Sequence, residues 1–414
     1  MRFSIITLLL LALTGFQFYS VFQPLASVHA DDDECLVPCD EIVGGGPPKD
    51  GIPAIDSPRF ISATDYESSG GTSEDLVIGV YFERKARAYP TDILNWHEIV
   101  NDNFNGVPIS VTYCPLTWSS IAYQTASLGE DHTLGTTGKL YENNLVFYDR
   151  QSETYWSQLL GQGIKGEHKG ESLPTIPVVQ TTWSAWKAMY PSTVVLSENT
   201  GYSRNYDRNP YDAYQQISDE NIWFPTSYDW RWKPYNRYPP KTHAFVLSLN
   251  NETRLYSFEE LAQQNIVNDI FGNQTNQSAV IAFDTDNEAA VAFSSSLNGI
   301  EYTFTSKGTT NLDKLETFDL KLFQDEETKS VWNMRGQAIS GDLKGAQLEP
   351  LSGYNAFWFA ATVFSQKASL FQAELNDAAS SSESSETGLE SVDLVLLIGA
   401  LGLAAWLGYF KNKR

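Results

Sequence analysis

The sequence predicts a β-rich α+β fold made of two tandem homologous units, preceded by an export signal and followed by a C-terminal transmembrane helix. Three observations carry this expectation. Residues 87–104 align without a gap on residues 254–271, with eight of eighteen positions identical, and self-similarity of this kind marks a duplicated structural unit. Apolar residues alternate with a period of two over several short runs bounded by Gly, Pro and Asn, as half-buried strands do. Both ends of the chain carry apolar stretches that stand apart from the polar middle.

Residues 1–30 place Arg2 before an apolar stretch and end in small residues at Ala30, ahead of an acidic run, which is the layout of a secretory signal. The Gly/Pro stretch 44–58 suits neither a helix nor a central strand. The first unit, residues 45–190, opens with a strand in which Val80 and Phe82 share a face, as Leu247 and Leu249 do in the second. Pro90 and Thr91 then start a helix. Ile93, Leu94, His97, Val100 and Phe104 recur at helical spacing, so the helix is expected to run to Asn105 and Gly106. A strand over 107–114 follows, with Tyr113 and Cys114 on opposite faces and Pro115 ending it. More strands are expected near 120–123, 132–136 and 144–148. A short helix near Trp183 closes the unit, and one near Trp358 closes the second unit, residues 243–370.

Residues 191–242 match neither repeat and form a connector rich in aromatic residues and arginine, including Arg204, Tyr206, Tyr211, Tyr214, Trp223, Trp230 and Trp232. Such a segment either ties the two units together or presents a binding surface. Residues 371–393 read as a solvated Ser/Ala/Glu tether. Residues 394–410 lack any charge and are bordered by Asp393 on one side and Lys411, Lys413 and Arg414 on the other. At about 1.5 Å rise per residue they cover roughly 25 Å, a short membrane span. The basic tail predicts a cytoplasmic C-terminus, with the bulk of the chain outside the cell membrane.

A formal charge of −23 on 414 residues disfavours nucleic acid as a partner, because phosphate binding needs clustered Lys and Arg, and no nucleic acid is expected. Of three cysteines, Cys35 and Cys39 are spaced for a local disulfide in an oxidising compartment, which leaves Cys114 as the odd thiol. Asn251, Asn273 and Asn276 begin glycosylation sequons, so their loops are expected at the surface.

The two units act as controls for one another. Asn101, Asp102 and Asp149 recur as Asn268, Asp269 and Asp325, which marks them as scaffold. His97, Glu98 and Cys114 do not recur: Gln264, Asn265 and Asp284 take their places. A lone inward histidine is usually a hydrogen-bonded core residue and a lone cysteine usually an inert buried thiol. Their loss from one unit only makes His97, Glu98 and Cys114 the candidate catalytic residues, with Cys114 as nucleophile. His97 and Cys114 are equally the donors a soft metal, copper or zinc, would select. Arg150, replaced by Glu326 in the second unit, together with Arg204 and Tyr206 of the connector, are the candidate substrate contacts. His132, His168 and His243 are expected at the surface. Phosphate-loop, dinucleotide, serine-hydrolase and zinc-protease motifs are missing from the sequence.

Several segments together, DGIPAID at 50–56, RAYP at 87–90, HEIVND at 97–102, YCPL at 113–116, NLVFYDR at 144–150 and FWFA at 357–360, make residues 45–370 resemble the uncharacterised family DUF3179. Many relatives resemble one another in a second cysteine after YCPL, where this chain has Thr117; that departure disfavours a dithiol pair or a two-thiolate metal site here. The resemblance implies no established activity. Two functions therefore stand open: a membrane-tethered protein with one thiol/imidazole site for catalysis or metal capture, and a non-catalytic module whose connector binds a glycan or peptide.

Overall fold

The computed structural model describes residues 34–129, 132–227, 229, 231, 234–272, 276–310 and 320–373. The expected signal at 1–30 and anchor at 394–410, as well as Trp230, Trp232 and Asn273, lie outside them. Among the described residues no helix is long and apolar enough to cross a membrane. Strands dominate, joined by short helices.

Leu76–Phe82 pairs with Lys85–Pro90 through a tight turn at Glu83 and Arg84, whose φ values of 48° and 61° give the strands their right-handed twist. Val178–Thr182 flanks this hairpin on one side; Val194–Leu196 and Phe60–Ser62 flank it on the other. A second sheet orders Thr175–Ile176, Ser119–Tyr123, Val107–Cys114 and Ile99–Phe104. A third runs from Ile42–Gly44 through Leu134–Tyr141, Asn144–Asp149 and Tyr155–Ser157 to Gln162–Lys165.

The same orders recur downstream. Tyr354–Phe357, His243–Leu249, Glu252–Ser257 and Ser369–Leu370 make one sheet. Pro350–Leu351, Ala289–Ser294, Gln277–Asp284 and Ile266–Phe271 make the next, and Phe304–Thr310, Leu320–Asp325, Val331–Asn333 and Ala338–Ser340 the last. Short helices Thr91–His97 and Phe258–Gln264 occupy equivalent places, as do Trp183–Met189 and Trp358–Phe364.

Each half reaches into the other. The backbone N–H of Phe357 donates to Thr117 O at 2.8 Å, while Thr182 Oγ1 donates to Asn287 Oδ1 at 2.7 Å. Trp118 at φ 52° lays its indole flat on His243 with ring centroids 3.7 Å apart. One apolar cluster consequently draws side chains from both halves, among them Tyr113, Tyr123, Phe245 and Phe357. His243, expected at the surface, is instead covered by Trp118 and hydrogen-bonded to Glu288.

Two boundaries differ from the sequence reading. The first helix stops at His97, and Ile99–Phe104 is a strand, so Asp102 does not share a helix with Glu98. Glu98 takes the left-handed conformation at φ 58° and turns the chain, after which the β-branched pair Ile99 and Val100 favours extension. The segment without a repeat counterpart starts later than residue 191, because Val194–Leu196 pairs in parallel with Lys85–Pro90 just as Ser369–Leu370 does with Glu252–Ser257. Asn251 and Asn276 are exposed, as their sequons require.

Candidate functional site

The residues that recur hold the frame. Asp102 accepts from Arg87 and from the Tyr89 hydroxyl, and Asp269 accepts from Arg254 and the Tyr256 hydroxyl in the same arrangement. Asn101 grips both backbone groups of Leu134 at 2.9 Å, and Asn268 grips both of Phe304 at 2.8 Å, which docks the third sheet onto the second in each half. Asp149 accepts the backbone N–H groups of Gln151 and Ser152, while Asp325 accepts that of Thr328. Arg150 is committed as well: its Nη1 donates to Asp56 Oδ1 at 2.7 Å, the oxygen that Asn101 also reaches.

His97 is fully buried at the helix end and both its ring nitrogens are used. Pro53 O, 2.8 Å from Nδ1, can only accept, which places the proton on Nδ1. Nε2 then accepts from the Tyr206 hydroxyl at 2.7 Å, and Tyr206 in turn meets Thr200 Oγ1 at 2.6 Å. Burial lowers the imidazole pKa, and the nearby Arg204 guanidinium adds to the effect against the pull of Pro53. His97 is thus a neutral post tying the connector to the first half. Arg204 itself is exposed and donates to Ser203 O at 3.2 Å.

Glu98, the next residue, turns the other way, toward Cys114. Its side chain is largely buried, and burial alone raises the carboxyl pKa to about 8. Cys114, at the end of its strand, is buried too, and its thiol is pushed up to about 11 by burial first and the Glu98 charge second. Thr117 and the Leu145 backbone oppose this. The thiol points toward Asn143 O at 3.8 Å. At neutral pH both groups therefore carry their protons.

The connector covers this pair. Tyr214 is buried and Tyr211 half-buried, and beyond the effect of burial the Tyr211 phenol pKa is raised by the Glu98 charge and then by Cys114, the Tyr214 phenol pKa by Cys114. Tyr214 donates to Leu116 O at 2.9 Å, and Gln215 reaches Pro115 O at 3.1 Å. Trp223 packs on Tyr214 at 4.7 Å, and the backbone of Phe224 is held by the Asn143 side chain. The latch is Lys241, whose completely buried ammonium donates to Tyr214 O and, at 2.8 Å, to Asp219. Further on, Tyr235 and Tyr238 pack on or bond to the second half at Trp358, Ala368 and Glu260.

Of the candidate residues, then, the structure joins Glu98 with Cys114 and separates His97 from both; among the described residues His97 and Cys114 share no hydrogen-bonding partner. Nor do three side chains among His, Cys, Asp and Glu converge there as metal donors. The donor set does not fit copper or zinc, since the one imidazole is turned to Pro53 and Tyr206. Thr117, Tyr211, Tyr214 and Lys241 were not among the sequence candidates for the site. In the second half the matching positions are quiet: Asn265, at the same φ of 58°, bonds Thr285 Oγ1 at 2.9 Å, and Asp284 is satisfied by Asp286 N and Asn287 at 3.1 and 2.9 Å.

Compared with known proteins, residues 49–368 match the family described as a protein of unknown function, DUF3179. No curated protein and no solved structure matches the chain.

Proposed function

The chain belongs to the DUF3179 family, and from that premise we propose that it is an exported, membrane-anchored protein with one thiol–carboxyl centre, Cys114 with Glu98, that performs cysteine-dependent acyl or peptide transfer when the connector lifts. One observation carries this reading. A glutamate is held in left-handed backbone, with its carboxyl pKa raised by burial to about 8, beside the only free thiol, whereas the other half places satisfied Asn265 and Asp284 there. Backbone and desolvation costs of this kind gather at functional sites.

The chemistry follows from the two protonation states. The Glu98 carboxylate, kept basic by burial with a pKa of about 8, takes the Cys114 proton. The thiolate attacks a carbonyl carbon, a C–S bond forms, the bond to the leaving group breaks, and Glu98 returns its proton to that group. Water then cleaves the thioester, with Glu98 as base. Closure of Tyr211 and Tyr214 restores the unreactive thiol. His97 serves as the connector's hinge post rather than as the base.

The remaining readings rest on supporting features. The Cys35–Cys39 disulfide supports an oxidising, extracytoplasmic location, and the charge-free stretch 394–410 supports an anchor. Recurrent sheet orders and the paired Asp102 and Asp269 networks support an ancestral duplication. A glycan- or peptide-binding role for the connector is disfavoured by how much of it is used in packing, with Tyr206, Tyr214 and Tyr235 buried. The test is acylation by p-nitrophenyl acetate and acyl thioesters read by mass spectrometry. Acyl transfer predicts an adduct on Cys114 that is absent in Cys114→Ser and slowed in Glu98→Gln; no adduct, even in a latch variant such as Lys241→Met, would overturn the reading.

A further inference from the structure

Away from Glu98 and Cys114, and sharing no residue with them, a cavity of about 250 Å³ lies where the two halves meet. Trp186 comes from the first half and Phe293 and Leu351 from the second, and together they give it apolar walls. The floor is set by the backbone: a Cβ on Gly79 would stand 2.1 Å from the Trp186 ring, so only glycine lets that indole lie where it does. At the rim, Tyr81 is 45% exposed and stacks on Tyr190 at 4.8 Å, and the Arg335 guanidinium lies over the far ring at 5.0 Å.

Arg335 is the informative residue. The chain carries a formal charge of −23, yet among the described residues no carboxylate pairs with this guanidinium. Beyond the Tyr190 ring it lies over, no charged group among the described residues answers it, which leaves its donors for another group. Apolar walls with an exposed tyrosine at the rim suit a ring, and a bidentate donor at the mouth suits a carboxylate. The volume exceeds the roughly 150 Å³ that accepts benzene and falls short of the roughly 300 Å³ at which drug-sized sites begin.

We propose that this cavity binds a small aromatic carboxylate, with the ring against the half-buried Val179 and Leu351 and the carboxylate on Arg335. The test is isothermal titration of the full chain with phenylacetate and with its neutral isostere phenylacetamide. Phenylacetate is expected to bind more tightly than the amide, and Arg335→Gln to weaken phenylacetate by about tenfold while leaving the amide unchanged, as loss of a charged hydrogen bond does. Ala292→Leu, which fills the cavity wall, is expected to weaken both ligands; because Ala292 is buried and this variant can misfold, the half-buried rim change at Arg335 carries the decision. Failure of phenylacetate to bind the wild-type chain, or equal affinity in wild type and Arg335→Gln, would overturn the proposal.

Discussion

Replacing Glu98 by Gln should stabilise the protein, and increasingly so as pH rises. Burial lifts the carboxyl from 4.5 to about 8 in the folded chain, while the unfolded chain keeps the ordinary value. The folded state therefore holds this proton more tightly. Its contribution to stability is complete below pH 4.5 and is lost as pH rises through about 8. Each unit of difference is about 1.4 kcal/mol, so wild type gives up about 3 kcal/mol by pH 7 and about 5 kcal/mol by pH 9. Glutamine has nearly the shape of the protonated acid, keeps the same backbone turn and does not titrate. Urea unfolding of the full chain, followed by tryptophan fluorescence at pH 5, 7 and 8.5, should find the two proteins close at pH 5 and the variant ahead by several kcal/mol at pH 8.5. A stability difference that stays constant across this range would show that Glu98 ionises normally and would refute the reasoning.

Lys241→Met removes the buried cation that ties the end of the connector to Tyr214 and Asp219 earlier in it; the expected cost is about 2 kcal/mol, with alkylation of Cys114 by iodoacetamide accelerated at least about tenfold. Asp102→Asn and Asp269→Asn each break a buried pair with Arg, so each should cost about 3 kcal/mol in urea unfolding without changing the pH dependence of Cys114 alkylation. Asn101→Ala leaves Leu134 N, Leu134 O and Ser110 without their partner, and a loss of about 3 kcal/mol is expected from thermal unfolding, again with the thiol unaffected. Tyr206→Phe deprives His97 Nε2 of its donor, so the imidazole, titrated by NMR, should gain basicity or a water rather than a new protein partner, and Cys114 should be unmoved.

Local order was legible from the sequence where it depends on neighbours. The strand 107–114 ended at Pro115 as its alternation predicts, and helices begin at Thr91, Trp183 and Trp358 where the turn residues and aromatic positions place them. The first helix was read too long because Val100 and Phe104 fall at helical spacing even though they belong to a strand, and a glutamate is an unusual residue to cap a helix in left-handed backbone. Asn265, aligned with Glu98, was the signal that could have corrected this, since asparagine adopts that conformation readily. The pairing of Glu98 with Cys114 rather than His97 was not legible. It depends on which way side chains leave that turn, and on Tyr211, Tyr214 and Lys241, which come from about 100 residues or more downstream and are placed by the packing of both halves.

The central claim is that Cys114 and Glu98 form one electrostatic unit beneath the connector. Only three cysteines exist and two are bridged, so carbon-13 labelling of cysteine gives a single titrating Cβ resonance. In wild type its midpoint should lie near 11 and in Glu98→Gln it should move down, because the charge that repels the thiolate is gone. A midpoint at or below 9, or one that Glu98→Gln leaves in place, would contradict the account.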